Sequence, residues 1–212
     1  SVNQIIVMGE KLAQERYDQL TLDILNACRG YAVLLAEQDL TKAKGYAQNV
    51  WKRMENLDSW YLAELHIINS ILYLFDSNTA ALFTDRALET LAQYPHFEEA
   101  TTLKINFLLH VTNLLLLDKK YEQALFYIKQ LEEESVRTES HIMWAIALVR
   151  KEVCMTKTGD VSEPGLIDRA IAIFDSLNKQ NLKELVIKDP ENFFNLYSNY
   201  PIDKIEAEIL AH

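Results

Sequence analysis

Apolar residues recur every three to four positions almost from end to end of the chain, the period of an amphipathic α-helix. A first helix is expected over residues 3–16, followed by about four helix pairs. The first members of the pairs read as roughly 17–36, 58–76, 98–118 and 138–157. Asp58 with Ser59, Thr101 or Thr102, and Thr138 near Ser140 stand where helix caps belong. Gln38-Asp39, Ser77-Asn78, Asp118-Lys119 and the longer stretch 159–165 read as connections. Past residue 181 the pattern loosens. Asp189-Pro190 and Pro201 interrupt it, and a short last helix is expected over 202–211.

The second helix of each pair carries a similar signature, clearest in Lys120-Tyr121-Glu122-Gln123-Ala124-Leu125. Ala43, Ala87, Ala124 and Ala170 occupy matching places, where a small residue lets a neighbouring helix approach. This spacing, near 40 residues with scatter, predicts repeated helix-turn-helix units. The expected fold is all-α: a right-handed helical-repeat solenoid filling one domain, residues 1–212. It resembles tetratricopeptide repeats in a degenerate form. The first helices are longer, and the Gly-x-x-Tyr step and closing proline are missing.

Composition agrees with helices and narrows the function. Five glycines and four prolines in 212 residues are too few for a sheet protein, which needs turn residues every ~8–12 positions. Lys plus Arg is 21 against 31 for Asp plus Glu, a net charge of −10 that opposes nucleic-acid binding by this chain. The one tight basic cluster, Lys42, Lys44, Lys52 and Arg53, reads as a solvated helix face. No apolar run of ~18 residues free of charges occurs, and no signal peptide opens the chain, so no membrane partner is expected. The start at Ser1 rather than Met suggests a domain cut from a longer protein.

Cys28 and Cys154 lie far apart in apolar helical stretches and read as small buried residues, which points to a reducing, cytoplasmic setting. Neither a glycine-rich phosphate loop nor His-Glu-x-x-His, Gly-x-Ser-x-Gly or Cys-x-x-Cys is present. The five histidines show no metal-ligand spacing. A binding protein is expected, with no catalysis, metal or cofactor.

Two first helices carry polar residues where an apolar stripe belongs. Glu64-Leu65-His66-Ile67-Ile68-Asn69 and Leu108-Leu109-His110-Val111-Thr112-Asn113 repeat a His-x-x-Asn pair 44 residues apart, the spacing of Ala43 to Ala87. Positions three or four apart share a helix face. His66, Asn69 and Tyr73 therefore form one stripe, and Asn106, His110 and Asn113 another. Side-chain amides offer donors and acceptors, so a line of Asn can pair with the backbone of an extended peptide. Leu72, Phe107 and Leu114 would then shape the pockets. Trp144 and Arg150 on the fourth first helix could close one end of such a groove, and Asn26 and Arg29 the other. Trp60, just after Asp58-Ser59, reads as a packing staple. Glu132-Glu133-Glu134 reads as a solvated turn or helix end. The two histidines suggest binding that depends on pH. Phe193, Phe194, Tyr197 and Tyr200 form an aromatic tail suited to a dimer contact or to capping the last repeat.

The stretch Asn56-Leu57-Asp58-Ser59-Trp60-Tyr61-Leu62-Ala63-Glu64-Leu65, continued by Asn69-Ser70-Ile71-Leu72-Tyr73-Leu74-Phe75, resembles the C-terminal domain of Rgg/GadR/MutR regulators. The resemblance extends over the order of helices to the aromatic tail. It implies a homodimeric sensor domain that binds a short signalling peptide and relays this quorum signal to an N-terminal helix-turn-helix DNA-binding domain, which is absent from this chain. The rival expectation is a scaffold or adaptor repeat domain with no part in transcription.

Overall fold

A computed structural model of the chain describes residues 2–16, 18–160, 164–191 and 193. Among them are ten α-helices and no strand: α1 (Val2–Glu15), α2 (Gln19–Glu37), α3 (Leu40–Met54), α4 (Leu62–Ile71), α5 (Ser77–Leu91), α6 (Glu98–Leu117), α7 (Tyr121–Arg137), α8 (His141–Thr158), α9 (Leu166–Ser176) and α10 (Gln180–Lys188). The fold is all-α, as the 3.6-residue period requires. The expected helix over 202–211 lies outside the described residues.

Several helix starts differ from the predicted ones. Asp58 and Ser59 do not cap α4. Its N-cap is Tyr61, whose N–H donates to Glu64 Oε2 at 3.1 Å, the reach-back half of a capping box. Thr101 lies in the first turn of α6 and Thr102 just past it, because helix already begins at Glu98. Ser140 is the N-cap of α8, whereas Thr138 closes α7, its hydroxyl donating to the Glu134 carbonyl at 2.9 Å. The caps in use are aspartates that precede helices: Asp18, Asp39 and Asp76 accept from backbone N–H groups two or three residues on. Ser77-Asn78 is thus the start of α5 rather than a loop. Residues 180–188 form a helix where the apolar pattern had loosened.

The chain divides into two compact units, residues 1–107 and 108–212. In the first, α2 packs on α1, α3 and α4. Gly30 and Ala43 make the α2–α3 approach possible, since a Cβ on Gly30 would lie 3.3 Å from the Ala43 carbonyl oxygen. The core includes Met54, Leu65, Ile68, Ile71, Phe83 and Leu103. Trp60 is buried in it, its Nε1 donating to the Met54 carbonyl at 2.9 Å and its ring covered by the Arg86 guanidinium at 4.2 Å. This is the packing role expected of it. Two of the four residues of the basic cluster on α3 are in ion pairs: Lys42 with Glu37 at 2.8 Å, and Arg53 with the buried carboxylate of Asp23. Burial raises the Asp23 pKa, with Arg53 opposing the shift.

In the second unit α8 packs on α7 and α9, and α9 on α10. One turn recurs there. Lys119, Glu139, Gly159 and Asn178 all take left-handed φ, at steps of 20, 20 and 19 residues. After each, the next residue's N–H reaches back five positions: Lys120 to Leu115, Ser140 to Ser135, Asp160 to Met155 and Lys179 to Phe174. This is a Schellman closure, with glycine at only one of the four sites. It explains how a glycine-poor chain turns so often. The alanines 43, 87, 124 and 170 have no exposed surface, as small residues at close helix contacts do.

Glu134 departs from the solvated run predicted for 132–134. It is buried within α7 and pairs with Arg137, while Glu132 pairs with the buried Lys151 at 3.0 Å. Cys154 is buried, which pushes its thiol up to about 12, and burial also raises Cys28. Neither thiol is readily ionised. Helix α6 is long and apolar enough to cross a membrane by length and composition alone, and half of that stretch is buried in the protein, as in a core helix.

Candidate functional site

The His-x-x-Asn stripe on α4 begins one turn into the helix. His66 is exposed, and its Nε2 lies 2.6 Å from Glu99 Oε1 on α6. An ionised carboxylate only accepts, so Nε2 is the donor. Asn69 is half-buried three positions on, and its amide oxygen Oδ1 is buried with no hydrogen-bond partner. The α-helix ends at Ile71 and a 3-10 turn, Leu72–Leu74, follows. That tighter winding moves Tyr73 off the stripe predicted for a continuous helix. Its ring meets Tyr31 of α2 edge-on at 6.5 Å. Leu72 and Phe107, expected to shape ligand pockets, are fully buried core residues instead.

His66 and Asn106 do share a pocket. It has a volume of about 430 Å³ and is also lined by Phe97, Glu98, Glu99, Thr102 and Leu103. Phe97 stands at the N-terminal boundary of α6, its carbonyl accepting from Thr101 N–H at 3.1 Å. Glu98 and Glu99 occupy the first turn, where carboxylates favour a helix N-terminus. Sequence reasoning missed these acidic residues. Their available signal was position: they begin the helix that carries Asn106.

In the second unit His110, Asn113 and Arg150 come together. Arg150 is almost wholly buried. Its Nη1 donates to the Leu109 carbonyl at 2.8 Å and to Thr112 Oγ1, and its Nη2 lies 3.4 Å from Asn113 Oδ1. Burial, and secondly the Arg150 charge, push the His110 imidazole down to about 4. His110 is therefore neutral near pH 7, and the expected pH response cannot come from both histidines. Trp144 keeps a buried indole N–H without a hydrogen-bond partner, and the Arg169 guanidinium lies 5.4 Å from its ring centre. Arg29, a candidate for the other end of a groove, is paired with Glu10 of α1 at 2.7 Å.

Of the aromatic tail, Phe193 is buried within the chain, its ring 6.3 Å from that of Phe174. That burial leaves its ring little surface to offer a partner. Phe194, Tyr197 and Tyr200 lie outside the described residues. Among the described residues no group of three or more His, Cys, Asp or Glu side chains could hold a metal ion.

Compared with known families, residues 15–187 match the one described as HTH-type transcriptional regulator Rgg, C-terminal domain. No curated protein and no solved structure matches the chain.

Proposed function

The chain belongs to the Rgg family of transcriptional regulators, as their C-terminal domain, and from that premise we propose that it is the cytoplasmic sensor of a quorum-sensing regulator that binds a short signalling peptide. The helix pairs act as degenerate tetratricopeptide-like repeats, a reading the regular turn spacing supports. His66, Asn69 and Asn106 are the proposed contacts in the first unit, and His110, Asn113 and Trp144 those in the second, each unit taken by itself. The protein works as a homodimer, with Phe194, Tyr197 and Tyr200 as proposed contacts, and meets DNA through an N-terminal helix-turn-helix domain. Peptide binding shifts the population between two arrangements of the dimer and so changes how the DNA-binding domains are presented.

The observation that carries the peptide reading is the pocket of about 430 Å³ that His66 and Asn106 share, with half-buried Asn69 three positions along α4 from His66. Side-chain amides there offer donors and acceptors to the backbone of an extended ligand. The test is calorimetric titration with short peptides recovered from the protein as isolated from its native cells. Asn69→Ala and Asn113→Ala are expected to weaken binding about tenfold, equivalent to ~1.4 kcal/mol. Unchanged affinity in both overturns the assignment.

A further inference from the structure

We propose that the pocket formed by α4 and the first half of α6 admits a lysine or arginine side chain of the bound peptide, an assignment that rests on the peptide reading above. At about 430 Å³ the pocket falls within the ~300–1,000 Å³ of small-ligand sites, which is ample for a long side chain. Besides the polar His66, Thr102 and Asn106, its lining holds two chemistries. Leu103 and the half-exposed ring of Phe97 are apolar, and Glu98 and Glu99 are carboxylates. No lysine or arginine lines it. Glu99 is engaged by His66, whereas the Glu98 carboxylate has no ion-pair partner among the described residues.

A long basic side chain matches this division. Its aliphatic stem packs on Leu103 and Phe97 while its cationic head reaches the carboxylates and the face of the aromatic ring. An acidic side chain is repelled, and a purely apolar one desolvates Glu98 without giving it a partner. The net charge of −10 over the chain acts in the same direction by drawing cationic ligands toward it. The first-turn position of Glu98 also favours α6 through the helix dipole, but that effect needs no ligand and leaves the pocket's charge unbalanced.

The experiment incubates the whole chain with a random library of short N-acetylated peptides, then sequences the retained peptides by mass spectrometry. Acetylation removes the terminal ammonium, so a charge preference reports side chains alone. Wild-type protein should enrich Lys and Arg several-fold over the input, and moderate salt should reduce that enrichment. Glu98→Gln should retain peptides but lose most of the preference, with its melting temperature showing that the fold persists. Retention with no basic preference, or a preference unchanged in Glu98→Gln, overturns the subsite and leaves the peptide reading standing. No retention of any peptide overturns both.

Discussion

A buried side-chain oxygen without a hydrogen-bond partner costs about 1–3 kcal/mol, and Asn69 Oδ1 is so placed in the described structure. Alanine there removes the unpaired group while leaving α4 with a better helix former. Asn69→Ala is therefore expected to melt at the same temperature as the wild type or higher, by calorimetry, even as it loses ligand. A clear loss of stability would mean that the amide is satisfied within the fold. His110 gives a second prediction at this scale. Its folded pKa, about 4, lies below the ordinary 6.5, so the unfolded chain takes up a proton that the folded chain refuses. The stability tied to this residue is fully present above about pH 6.5 and falls away as the pH drops through about 4. Denaturant midpoints measured across that range should decline more steeply for the wild type than for His110→Gln. Equal slopes would show that the imidazole is not desolvated.

Helix ends carry the regularity of the second unit. Lys119, Glu139 and Asn178 adopt a left-handed backbone that favours glycine, and Gly159 shows the same turn with the favoured residue. Glu139→Gly should stabilise the protein by up to about 1 kcal/mol, read from urea unfolding, because no Cβ opposes the turn. Destabilisation would show that the Glu139 side chain matters more than its backbone. The same turns explain what the amino-acid pattern could and could not reveal. The helices were legible because their apolar period is strong, and Ala43, Ala87, Ala124 and Ala170 marked true points of burial. Boundaries were less legible. The start at Glu98 fell where the pattern put it, whereas the helical stop at Ile71, expected near 76, depends on a 3-10 turn that does not interrupt the apolar period.

For the whole molecule, the Rgg family match over residues 15–187 agrees with the resemblance read from the stretch 56–75. The pocket was only half legible. His66 and Asn106 stood out as polar residues on apolar helices, but Glu99 looked like any solvated glutamate until folding brought it 2.6 Å from a histidine 33 positions away. Local pattern does not encode that pairing. Arg150 was legible as unusual, and its buried bonds to the α6 backbone explain why a cation sits on a core helix. The central claim, that this domain is built to hold a short peptide, has a direct test. The protein is purified from its native cells without denaturation, then unfolded, and the released small molecules are read by mass spectrometry. The account predicts a short peptide recovered with wild-type protein and depleted from Asn69→Ala and Asn113→Ala. Wild-type protein that releases no peptide, or variants that release the same amount, would contradict it.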